Sequence, residues 1–123
     1  MIAVIFEVIP KQAGKAEYLA IAAKLREHLA DIPGFISIER FQSLSDPGKI
    51  LSLSFWADEA AVTRWRNLEQ HRMAQTKGRG SMFKDYRIRV GNITRDYTMT
   101  ARAQVPKDSR SPHEKINRLF SST

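Results

Sequence analysis

The stretch Ile50–Val90 constrains the fold of this chain most, because its hydrophobic period changes twice. Leu51, Leu53 and Phe55 alternate with Ser52, Ser54 and Trp56, the period of two that marks a strand. Asp58 is a residue type that caps helix starts, and Glu59 sits where the helix dipole favours a carboxylate. Ala61, Val62, Trp65 and Leu68 then recur at helical spacing. Gly78 and Gly80 break that pattern, and Tyr86, Ile88 and Val90 restore the alternation. The predicted order is strand, helix, basic glycine turn, strand.

The flanking segments extend this order. Ile2–Ile9 is nearly all apolar with Glu7 its one charge, which predicts a strand covered on both faces. Pro10 ends it. A helix over residues 15–31 places Tyr18, Ala22, Leu25, Leu29 and Ile32 on one stripe, and Pro33–Gly34 stops it. Phe35–Gln42 predicts a second strand, with Ile36, Ile38 and Arg40 on one face and Phe35, Ser37, Glu39 and Phe41 on the other. Ser45-Asp46-Pro47-Gly48 is a turn that makes this strand a hairpin with Ile50–Trp56. The last strand is predicted from Asp85 to about Thr98, with a bulge at Gly91–Asn92. The order β-α-β-β-α-β predicts an α+β, ferredoxin-like domain with an antiparallel sheet over residues 1–99. Residues 100–123 read as a basic arm, extended, with Ser111–Pro112 able to open a short helix through Phe120.

Two helices cover one face of such a sheet, yet the first three strands carry apolar or aromatic residues on both. A patch of several hundred Å² left in water is rare in monomers, so a homodimer packed sheet to sheet is expected. The chain has no cysteine, which excludes disulfides and thiolate metal sites. No apolar run reaches the ~18 residues of a membrane span, and the start lacks a signal peptide's features. A cytoplasmic domain without a membrane partner is the expectation.

The net charge is +7, but its distribution matters more than its size. Residues 1–57 hold six basic and six acidic side chains, whereas residues 64–89 hold eight basic and two acidic. No helix-turn-helix, zinc finger or RNP-like pattern accompanies that charge, so nucleic acid is not the expected partner. A positive rim that attracts anionic small molecules fits better.

Trp65 reads either as a large core residue or as a cavity wall that donates its indole N–H to a ligand. Trp56, closing its strand, reads as an edge or interface residue. If the second helix continues past Asn67, Arg64, Leu68, His71 and Gln75 share one side of it. His71 reads as a surface histidine or as a base that removes a proton from a phenol. With Trp65 it forms the candidate catalytic pair, and Arg64, Leu68, Gln75, Phe83 and Tyr86 form the candidate substrate-binding set. Lys77-Gly78-Arg79-Gly80-Ser81 offers cations and backbone N–H groups but lacks a phosphate-loop pattern. No second histidine or paired carboxylate stands at ligand spacing, so no metal site is expected.

The segments MIAVIFEV, GFISIERFQSLSDPGKILSLSFW, DEAAVTRWRNLEQHRMAQTKGR and FKDYRIRV together resemble the antibiotic biosynthesis monooxygenase superfamily. The resemblance spans residues 1 to about 99 and implies a dimeric α+β barrel. It implies an oxygenase without a cofactor, in which a deprotonated quinol or polycyclic phenol passes an electron to O₂. Trp65 matches the family's helix tryptophan and His71 the histidine of its second helical segment. A haem-degrading branch of the fold has the iron-ligating histidine ten positions after that tryptophan, where this chain has Gln75. That branch also carries an asparagine on the first strand, where this chain has Ile5, Phe6 and Glu7, so haem degradation is not expected. The expected function is oxygenation of a phenolic or quinol-like aromatic molecule, with a non-catalytic small-molecule binder on the same fold as the alternative.

Overall fold

In a computed structural model the chain divides into two units, residues 1–92 and 93–123. The structure describes residues 1–74 and 82–110, and side chains throughout these except at 70–74. The first unit runs β1 (Ile2–Pro10), α1 (Lys15–Leu29), β2 (Phe35–Gln42), β3 (Ile50–Trp56), α2 (Glu59–Ala74) and β4 (Phe83–Asn92). The four strands form one sheet in the order β2-β3-β1-β4, and every adjacent pair is antiparallel. This is the ferredoxin-like α+β arrangement expected from the sequence.

Each element has a local cause. Asp58 caps α2 through its carboxylate, which accepts the Ala61 N–H at 2.9 Å. The stripe Tyr18, Ala22, Leu25 and Leu29 is the buried side of α1. That helix ends at Leu29, and Ile32 packs against the same core from the turn beyond. Gly34 makes the turn possible with φ +89°, and a Cβ there would lie 2.8 Å from the Ala61 Cβ. In the β2–β3 hairpin the Asp46 carboxylate accepts the Gly48 N–H at 3.0 Å. Gln42 Nε2 donates to the carbonyls of Pro47 and Lys49, both at 2.8 Å.

Register decides which side of each strand meets the helices. Ile2 pairs with Trp56 and Asn92, Val4 with Ser54 and Val90, Phe6 with Ser52 and Ile88, and Val8 with Ile50 and Tyr86. Ser54 and Ser52 pair in turn with Ile38 and Arg40 of β2. These rows line the helix-covered face, where Ile2, Leu25, Leu29, Trp56, Ala61, Val62 and Trp65 form the main core cluster. Ser52, Ser54 and Trp56 are therefore the inward side of β3, and Leu51, Leu53 and Phe55 lie on the other. Trp56 is fully buried in the core rather than at an edge, its ring stacked 6.0 Å from Trp65 and edge-on to Phe35 at 5.3 Å.

Two further expectations shift. The β2–β3 register slips between Phe35 and Ser37, which turns Phe35 inward onto Trp56 and leaves Ile36 half exposed. The last strand closes at Asn92, not near Thr98, and Gly91 pairs regularly with Ala3. The irregularity of this pair sits instead at Ile9/Pro10, where proline lacks the N–H a regular ladder needs.

The helix-free face carries Ala3, Ile5, Leu51, Leu53, Phe55 and Phe41, by alternation with the inward residues. Glu7 lies on this face between two cations, 3.5 Å from Lys49 and 3.4 Å from Arg89. Arg87 shares that side of β4 with Arg89, while Tyr86, Ile88 and Val90 take the helix side, as their alternation predicts. In the second unit the described residues are tied by local bonds. The Thr98 hydroxyl accepts the Ala101 N–H at 2.8 Å, and Gln104 Oε1 accepts the Asp96 N–H at 2.6 Å. The Arg102 guanidinium lies over the Tyr97 ring. The terminal segment predicted as a short helix lies outside the described residues.

Candidate functional site

Where β3 carries Ser52 and Ser54, two small residues face a sheet-to-helix space that larger side chains would fill. The result is a cavity of about 170 Å³ between the sheet and the two helices. Its floor is the two middle rows, Ile38, Ser54, Val4 and Val90, then Arg40, Ser52, Phe6 and Ile88. Tyr18, Ile21, Ala22 and Leu25 of α1 form one wall, and Val62, Trp65, Arg66 and Glu69 of α2 form another. Phe83 closes the end near β4, edge-on to Tyr18 at 5.4 Å and to Phe6 at 6.1 Å.

The cavity has two chemically different ends. At one, Trp65 stacks on Trp56, whose indole N–H donates to Ser54 Oγ at 2.9 Å inside the core. At the other, Tyr18 and Arg40 meet. Burial pushes the Tyr18 phenol above its ordinary pKa of 10.0. A hydrogen bond from Arg40 and that residue's positive charge oppose the shift, and the Glu69 carboxylate adds to it. Arg40 Nε is buried and has no hydrogen-bond partner among the described residues. Among the described residues no cluster of histidines, cysteines or carboxylates could hold a metal ion.

The structure sorts the sequence candidates by position. Trp65 and Phe83 line the cavity, and Tyr86 touches Phe83 and Phe6 edge-on from the more open side of β4. Leu68 packs against the main core cluster. Arg64 is exposed and donates to the Pro33 carbonyl at 3.1 Å, joining α2 to the turn before β2. The helix runs unbroken to Ala74, so Arg64, Leu68 and His71 do share one helix. The His71 side chain, Gln75 and the basic turn at residues 77–81 lie outside the described residues. Tyr18, Arg40, Ser52 and Glu69 were absent from the candidates. The one signal for them was Arg40, a charge on the same strand face as Ile38.

A four-stranded antiparallel sheet, two helices on one face and a mostly apolar cavity between them define an α+β domain of ferredoxin-like topology. Residues 1–77 match the family model "Antibiotic biosynthesis monooxygenase", and the chain belongs to that family. It is 53% identical over 94 residues to a Pyricularia oryzae protein named jasmonate monooxygenase ABM. That match covers 76% of this chain and 44% of the fungal protein, so the chain spans less than half of that relative's length. It is also 30% identical over 93 residues to the uncharacterised Bacillus subtilis protein YqjZ, covering 76% of this chain and 79% of that one.

Solved structures share the fold. A Mycobacterium tuberculosis protein superposes with a TM-score of 0.67 at 15% identity, covering 79% of this chain and 98% of its own. SnoaB, a cofactor-independent oxygenase from Streptomyces nogalater, superposes at 0.63 with 12% identity, covering 77% and 94%. No helix among the described residues is long and apolar enough to cross a membrane.

Proposed function

We propose that this chain is a monooxygenase that oxidises an electron-rich phenolic or quinol-like small molecule with O₂ and no cofactor. The observation that carries the reading is the cavity walled by Trp65, open in volume yet mostly apolar, in a chain of the monooxygenase family. The names of the fungal relative and of SnoaB support oxygen chemistry on this fold.

The reaction balances without an external reductant. A phenol loses its proton to a base, and the phenolate gives one electron to O₂. Superoxide and the substrate radical join in a C–O bond, and the resulting hydroperoxide loses water to leave a quinone. One oxygen atom enters the product and the other leaves as water. Apolar walls exclude water from the radical pair and hold the ring in place, which are the protein's contributions to such a step. His71 is the proposed proton acceptor. Homodimerisation through the helix-free face belongs to the same reading, since Ile5, Leu51, Leu53 and Phe55 form an apolar strip there.

An oxygen electrode with a panel of quinols and polycyclic phenols tests this, with haemin titration as control. Oxygen uptake stoichiometric with quinone formation is the expected result. Tight ligand binding without any oxygen uptake across the panel would instead make the chain a binding protein. Sedimentation at micromolar concentration should give a dimer, and a monomer would remove the sheet-to-sheet interface.

A further inference from the structure

The polar end of the cavity has no task in the oxygenase reading. Arg40 projects from β2 onto the covered face beside Ser52, and its residue is half-buried with the Nε wholly so. No described carboxylate pairs with it. A guanidinium only donates, so in its hydrogen bond with Tyr18 the phenol oxygen is the acceptor. Arg40 Nε has no acceptor among the described residues, and the phenol that lines the cavity beside it carries an O–H of its own to donate. An N–H donor and an O–H donor thus lie together in a mostly apolar cavity. A buried N–H donor of a cation left unmet is costly, and an anion is the acceptor that meets it best.

We propose that the cavity takes a small organic monocarboxylate, its head held by Arg40 and Tyr18 and its apolar body running over Val4 and Ile38 toward Trp65. This rests on reading the cavity as the ligand site of the preceding section, and it names the class of ligand. A planar carboxylate suits the forked guanidinium. Glu69 lines the same cavity, and its negative charge is tolerated better by a monoanion than by a phosphate dianion. The lining rows of Ser52 and Ser54 stand two residues apart on β3, roughly 7 Å, which keeps the body short. The positive charge of the whole chain draws such anions in.

The test compares 4-phenylbutyrate with its methyl ester by isothermal calorimetry on the full chain. The acid should bind about ten- to a hundredfold more tightly than the ester, the range of a charge-assisted hydrogen bond. Arg40→Met should erase that preference, Lys24→Gln, exposed on α1 outside the cavity, should keep it, and Glu69→Gln should strengthen acid binding. If Arg40→Met does not fold, by circular dichroism, Tyr18→Phe reads the same anchor, and the wild-type comparison needs no variant at all. Equal binding of acid and ester, binding of neither, or a preference that survives Arg40→Met overturns the anchor. Acid-selective binding without oxygen uptake on any phenol sinks the oxygenase reading and leaves the anchor standing. Uptake on neutral quinols without acid preference does the reverse.

Discussion

Replacing Ser54 by alanine tests how the tryptophan pair is held. Ser54 is 3% exposed and Trp56 fully buried, and the 2.9 Å bond between them satisfies the indole N–H inside the core. Ser54→Ala keeps the strand's backbone and nearly all of its packing, but strands that donor. Leaving a buried polar group unmade costs about 1–3 kcal/mol. Ser54 also lines the cavity, so a water admitted beside the indole would hold the cost near the lower limit. In a domain of this size each kcal/mol lowers the melting temperature by about 4–8 °C. Trp56→Phe removes the donor itself, together with the stacking on Trp65 and part of the packing. Once Trp56 is phenylalanine, Ser54→Ala should cost little, because no donor remains to be stranded. A double-mutant cycle by urea unfolding should therefore show a coupling of about 1–2 kcal/mol between the two sites. Additive single effects, or a Ser54→Ala cost within error of zero, would refute the assignment of this bond as a core constraint.

Gly34→Ala should destabilise the chain by about 1–3 kcal/mol, since φ +89° is unfavourable for a Cβ and Ala61 stands in its path. Urea unfolding measures it, and a neutral result would mean the turn relaxes freely. The Tyr18 phenol is held above 10.0 in the folded chain, so the folded state binds that proton more tightly than the unfolded one. Its contribution to stability is complete below pH 10 and declines as pH rises through the folded pKa. Tyr18→Phe should flatten that part of the alkaline decline relative to wild type in paired denaturation curves, and identical slopes would contradict it. His71→Ala should lower turnover of a validated phenol by ~10²–10⁴-fold while leaving the circular dichroism unchanged. Wild-type turnover in that variant would move the base assignment to Glu69, the one described carboxylate lining the cavity.

The sequence by itself determined the element order, because each element carries its own local signal. Period-two alternation marks Ile50–Trp56, the Tyr18–Leu29 stripe marks α1, and the Asp58 cap and Pro33–Gly34 stop act within a few residues of where they stand. Alternation says that two faces differ, however, and not which one is covered. In β3 the side with two serines is the covered one, because its pairing with Ile2, Val4, Phe6 and Val8 places it under the helices. Phe35 faces inward for a similar reason: the register slip beside Ile36 reverses the phase that simple alternation predicts. The site is less legible still. Tyr18 and Arg40 lie twenty-two positions apart in a helix and a strand, and no spacing rule connects them. Only the packing of α1 across the sheet brings the phenol and the guanidinium into one cavity, and only burial leaves the arginine's Nε without an acceptor among the described residues. The cavity likewise depends on what is missing, the side-chain volume at Ser52 and Ser54, and that volume acquires meaning once helices roof the strand.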